Sequence, residues 1–254
     1  MNTLETNIIN YFYNKTQVLS NIPFSLSKGE LVCLCGPNGA GKSSLIKHIY
    51  EKNLVKNNWK ALAKKISYLP QNEVSMWDYK VKDIILSGRF CHTGFLNEYS
   101  NHDYEIVSQI IKDFDLEKLK EKNINEISGG EFQKVRLARS FAQESDFLLL
   151  DEPLTALDFI SSDSLMKFLK KKSRENNKGI LVSLHDINTA CRFADKITLI
   201  GKINQESKNQ FHITGIPSEI ITAEKAQQIL CETPGITLEY RQFFGDGDES
   251  EIKL

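Results

Sequence analysis

Residues 36–44 read GPNGAGKSS: Gly36, Pro37, Asn38, Gly39, Ala40, Gly41, Lys42, Ser43 and Ser44. The stretch follows an apolar run, precedes a helical pattern and matches G-x-x-x-x-G-K-[ST]. Its glycines let the backbone curl until successive N–H groups face phosphate oxygens. The helix that follows adds the positive end of its dipole. Lys42 would place an ammonium on the β- and γ-phosphates, and the Ser43 hydroxyl would reach a Mg²⁺ ion. A Gly-rich turn capping an ordinary helix is the plainer alternative, and both spacing and context speak against it.

A second stretch, FLLLDEP over 147–153, is an apolar run that ends in two carboxylates. Successive strand residues face opposite ways, so Asp151 and Glu152 are expected to do different jobs. Asp151 would hold the magnesium, and Glu152 would take the proton of an attacking water as general base. Two further polar residues follow apolar runs. His185, in SLHDIN, would reach the γ-phosphate side of the pocket if its strand lies near the acid strand. Gln71, in YLPQN, would bond Mg²⁺ or the attacking water. Each of the two has a bland alternative, a structural histidine and a loop glutamine. The third stretch is ISGGEFQKVRLARS, 127–140, where Ser128, Gly129, Gly130 and Glu131 bend the chain into a helix start built to receive an anion. Behind it, helical spacing puts Lys134, Arg136 and Arg139 on the exposed face and Phe132, Val135, Leu137 and Ala138 inward.

These residues need a frame. Strands are expected over 31–35, 66–69, 147–150, 180–184 and 196–200. Helices are expected over 42–50, 103–114, 131–143, 161–174 and 187–193, the second with Ile106, Val107, Ile110, Ile111 and Phe114 on one stripe. Strands alternating with helices argue for an α/β fold with a mostly parallel core sheet. Residues 74–127 interrupt the alternation with helix and predict a lobe of their own. The tail from 215 reads as strand, helix over 222–231 and strand, with a charged, solvated end.

Bulk composition narrows the partners. The chain has 254 residues, 41% hydrophobic and 26% charged, with formal net charge -1. It is long enough for a large core, and no overall field draws it to nucleic acid. No apolar run is long enough to span a bilayer, and the polar N-terminus does not read as a signal peptide. Of five cysteines, Cys33 and Cys35 read as buried strand residues; Cys91, Cys191 and Cys231 are scattered, with no zinc-site spacing.

In order, GPNGAGKS, YLPQ, ISGGE, LLLDEP, LTALD and SLH resemble the ATP-binding subunit of ABC transporters, over roughly residues 13–244. The signature Ser128-Gly129-Gly130-Glu131 is the most specific element. The resemblance implies a single P-loop ABC ATPase domain over 1–254, with an antiparallel β lobe, a helical lobe at about 74–135 and a C-terminal extension at about 215–254. It implies two copies packed head to tail, the ATP on one copy's phosphate loop closed over by Ser128, Gly129 and Gly130 of the other. Asp158, after Leu157 in LTALD, would touch the partner copy. Tyr13, beside Tyr11 and Phe12, would stack on adenine. Transmembrane permease subunits and, indirectly, a substrate-binding protein are implied partners, with the chain peripheral on the cytoplasmic face of the plasma membrane.

Two features are similar to importers of iron siderophores, haem and cobalamin. Glu131 stands where Gln is commonest, and VKDIILSGRFCHTGF, 81–95, resembles their Gly-Arg-aromatic-x-His segment, with Cys91 where Pro is frequent. The other readings are a cytosolic non-transport ABC ATPase, an exporter subunit and a degenerate, non-hydrolysing cassette. Residues 51–65 are shorter and more polar than the family's usual stretch there, so the β lobe is expected to be trimmed.

Overall fold

The computed structural model describes residues 2–13, 16–53, 58–72, 78–94, 98–202 and 210–222. Six strands form the central sheet: β3 (Leu31–Cys35), β4 (Ile66–Leu69), β5 (Phe147–Leu150), β6 (Gly179–Leu184), β7 (Lys196–Lys202) and β8 (Gln210–Gly215). Their order is β4-β5-β6-β3-β7-β8, with every pair parallel except β7–β8. β3, β5 and β6 are buried at every position, because helices or strands cover both faces. Side chains alternate between two cores. Leu31, Cys33, Cys35, Leu148 and Leu150 face α3 (Val81–Ser87), α4 (Asn101–Asp113), α5 (Gly129–Ala142), α6 (Phe159–Glu175) and α7 (Ile187–Phe193). Val32, Leu34, Phe147 and Leu149 face α1 (Lys42–Lys52) and α2 (Trp59–Lys65).

The antiparallel layer is a single ribbon, β1 (Thr3–Tyr13) with β2 (Thr16–Ser27), whose Leu4, Leu19, Ile22, Phe24 and Leu26 join the second core. Between α1 and β4, in the shortened, lysine- and asparagine-rich stretch, α2 forms. The Asn58 side chain accepts the Ala61 N–H to start it, and Leu62 is its buried anchor. At the far edge a short α8 (Pro217–Thr222) follows β8. Beyond Thr222, the helix expected over 222–231, with Cys231 and the acidic end, lies outside the described residues.

Cys33 and Cys35 are buried as expected, and burial pushes both thiols well above their ordinary range, so neither is a nucleophile. The Gly-Arg segment has a structural task. A Cβ on Gly88 would stand 2.3 Å from Arg139 O, so only glycine lets this turn lie against α5. Arg89 is 2% exposed and donates to Asp103 Oδ1, Glu144 Oε2 and Ala142 O, each at 2.8 Å.

Asp103 also caps α4 by accepting the Ser100 amide and hydroxyl. Burial pulls the Asp103 carboxyl upward, but the bonds from Ser100 and Arg89 outweigh it and hold the group at about 2, against an ordinary 3.8. A depressed carboxyl stabilises the fold above its unfolded value and loses that stabilisation as pH falls through the folded one. Asp103→Asn is therefore expected to cost roughly 2 kcal/mol at pH 7. Its gap to the parent in urea unfolding should close as pH drops from about 4 towards 2.

Candidate active site

The phosphate-loop residues lie between β3 and α1, where three glycines take conformations closed to other residues. Gly36, Gly39 and Gly41 have φ of 151°, 77° and 97°. At Gly36 a Cβ would stand 2.1 Å from Ile200 O, so the loop can pass β7 only with glycine there. Gly41 opens α1 without a side-chain cap, leaving the helix-start amides free for an outside acceptor. Lys42 is only 5% exposed, and its ammonium folds back to donate to Gly36 O at 2.8 Å and Pro37 O at 3.2 Å. Burial lowers its pKa, while Glu152 and Asp151 oppose the shift.

Asp151 and Glu152 lie just past the end of β5, which corrects the expectation that strand alternation separates them. Glu152 has φ 50°, a left-handed turn that costs a residue with a Cβ about 1–2 kcal/mol. That turn sends the two carboxylates apart. Asp151 is buried and points to Ser43 and Ser183, both of which hydrogen-bond to it. Burial raises its pKa, and those two hydroxyls partly counter the shift. Glu152 reaches the other way. Its Oε2 accepts from Gln71 Nε2 at 2.7 Å, and its Oε1 lies 2.7 Å from His185 Nε2.

His185 Nδ1 is 3.5 Å from Lys42 Nζ. An ammonium only donates, so Nδ1 is the accepting nitrogen and Nε2 carries the proton given to Glu152. Gln71, Glu152, His185 and Lys42 thus form one chain of polar contacts along the carboxyl ends of β4, β5, β6 and β3. The parallel order of the sheet gathers them, because each follows a strand that ends on the same side.

The signature residues build a capping box. Ser128 Oγ accepts the Glu131 N–H, and Glu131 Oε2 accepts from the Ser128 amide at 2.8 Å and its hydroxyl at 2.9 Å. The Ser128 amide, then the Ser128 hydroxyl, hold the Glu131 carboxyl below its ordinary value. Ser128 and Gly129 are exposed and Gly130 half-buried. Asp158, also exposed, caps α6 through the Ser161 amide and hydroxyl, both at 2.8 Å. Beside it Phe159 and Ile160 are each 77% exposed. Tyr13 ends β1, and its side chain lies outside the description. Tyr11 packs edge-on to His48 of α1, ring centroids 5.4 Å apart.

One reading of the helix behind the signature is overturned. Arg136, expected on the exposed face, is 5% exposed. It donates to Pro70 O, at 3.5 Å to Gln71 O and at 2.7 Å to Gln133 Oε1. Gln133 Nε2 in turn donates to Pro153 O at 2.9 Å. Arg136 is buried because the bend after β4 presents carbonyls that need donors. Its partner Gln133 carries the link to the bend after Asp151 and Glu152. Phe132, expected inward, is only half-buried.

Two oxygens suited to a hard cation, the Ser43 hydroxyl and the Asp151 carboxylate, are adjacent. Among the described residues no group of three or more His, Cys, Asp or Glu side chains gathers to hold a metal. Also among the described residues, no helix is long and apolar enough to cross a membrane.

The ABC transporter family model matches residues 19–155. A manganese transport system ATP-binding protein of Halalkalibacterium halodurans is 32% identical over 203 residues, 76% of this chain and 81% of that protein. A probable siderophore transport system ATP-binding protein of Bacillus subtilis is 27% identical over 250 residues, 93% of this chain and 89% of that protein. Among solved structures, a metal-chelate type ABC transporter in an inward-facing conformation superposes with TM-score 0.74 at 27% identity, covering 90% of this chain and 88% of that one.

Proposed function

Because the chain belongs to the ABC transporter family, we propose that it is the ATP-binding and hydrolysing subunit of an importer whose cargo is a metal chelate: an iron siderophore, haem or cobalamin. The observation that carries the hydrolytic part is the Glu152 carboxylate, held between Gln71 Nε2 and His185 Nε2 beside the glycine loop. The siderophore relative, the metal-chelate structure and the sequence resemblance of 81–95 support the cargo class.

Nucleotide phosphates would lie along the N–H groups of residues 36–44, with Lys42 exchanging the carbonyls of Gly36 and Pro37 for phosphate oxygens. Magnesium, held by Ser43, Asp151 and Gln71 together with phosphate oxygens, would neutralise charge on the leaving phosphate. Glu152 takes the proton of the attacking water. His185 Nε2 and Gln71 Nε2 keep its carboxylate aimed. Tyr13 stacks on adenine.

A second copy supplies Ser128, Gly129 and Gly130 over the γ-phosphate and sets Asp158 against the first copy. The exposed Phe159 and Ile160 beside Asp158 suit burial in that contact. Closure of the pair drives a separate permease, docked over the 71–95 region on the cytoplasmic face of the membrane.

Tagged protein expressed in its own cells tests the transport role. It is expected to sediment with membranes and to purify with a many-spanning permease that raises its ATPase rate. An active ATPase that stays entirely in the soluble fraction, without such a partner, would overturn the importer reading in favour of a cytosolic ATPase.

A further inference from the structure

Ser183 heads the SLHDIN stretch two residues before His185, and its side chain touches both acidic residues. It is the penultimate residue of β6 and is fully buried. The parallel register that sets Leu150 beside Val182 carries it next to Asp151 and Glu152. Its hydroxyl donates to Asp151 Oδ1 at 2.7 Å and accepts the Glu152 N–H at 2.7 Å. A hydroxyl has one proton. Given to Asp151, it leaves the oxygen lone pairs for the Glu152 amide, so the two bonds polarise each other in one direction.

The second observation is the conformation that this bond holds. Glu152 sits at φ 50°, and φ is the rotation about its N–Cα bond. Anchoring the N–H fixes where that rotation throws the side chain, here between Gln71 Nε2 and His185 Nε2. Without an acceptor at this place the amide would be left unpaired beside a buried strand end, and the left-handed turn would lose its tether.

We infer that Ser183 is a positioning residue for hydrolysis: its hydroxyl holds the Glu152 backbone in the turn that aims the carboxylate at the attacking water, and steadies Asp151 with the same proton. The inference rests on Glu152 being the general base.

The test compares Ser183→Thr, which keeps the hydroxyl, with Ser183→Cys, which keeps the side-chain shape and replaces the oxygen with a sulfur that hydrogen-bonds only weakly. Ser183→Cys is expected to lower kcat for ATP hydrolysis by about 10–10²-fold. Its KM and its affinity for a fluorescent ATP analogue should stay near the parent's. Ser183→Thr should recover most of kcat. A packing role predicts the reverse, because threonine adds a methyl to a filled site and cysteine does not. Combined with Glu152→Gln, Ser183→Cys should add little further loss. Parental kcat in Ser183→Cys, or a full extra loss on top of Glu152→Gln, overturns the inference while leaving the base intact. Parental turnover in Glu152→Gln alone overturns the base reading, and this role with it.

Discussion

Glu152→Gln is expected to slow ATP hydrolysis by about 10²–10⁴-fold while leaving nucleotide affinity close to the parent's. The carboxylate is only 11% exposed and accepts on both oxygens, from Gln71 Nε2 and from His185 Nε2. Glutamine keeps the shape but cannot accept a proton from water. Its amide nitrogen must also face one of those two donors, so one bond turns repulsive. Nothing in the glycine loop changes, because Lys42 and the amides of 36–44 stand on other elements. The variant should therefore bind ATP, close on a second copy and stay closed. Phosphate release over a single turnover measures the rate, and size-exclusion in ATP measures the pair. Turnover equal to the parent's would show that another group is the base.

Ser128→Arg should reduce turnover by about 10²-fold or more without weakening ATP binding to the chain's own loop. Ser128 is exposed, so an arginine there meets solvent in a single copy. It costs the α5 cap, worth about 1 kcal/mol, which leaves the fold intact. In the closed pair the same side chain would enter the space meant for the γ-phosphate of the other copy. Mixing Ser128→Arg with Lys42→Ala separates the two faces. Neither variant should hydrolyse ATP alone, but the mixed pair has one sound site and should regain activity. Parental turnover in Ser128→Arg, with Glu152→Gln staying monomeric in ATP, would sink the shared-site proposal.

Several elements could be read directly. The strands Ile66–Leu69 and Phe147–Leu150 and the helix Ile187–Phe193 lie where the pattern put them, since continuous apolar runs and turn residues leave few options. WKALAKK gave no such signal. Only Leu62 of α2 is fully buried, and the helix exists because Asn58 caps it and the second core receives that leucine. The start of α5 at Gly129 was also two residues earlier than helical propensity allowed, because the Ser128–Glu131 capping box overrides two glycines.

The amino-acid order by itself determined the phosphate loop, the acid pair, the signature and the alternating α/β plan. Each is local: glycine spacing, an apolar run ending in carboxylates, a Ser-Gly-Gly bend. Only the folded chain decided how they meet. Parallel strands bring Gln71, Glu152, His185 and Lys42 to one edge from positions far apart in the chain. The left-handed turn at Glu152, the Ser183 hydroxyl behind it and the burial of Arg136 under the Gln71 bend depend on which backbone groups lack partners once the strands have paired. That shortage is a property of the packed sheet, and no residue pattern along the chain records it.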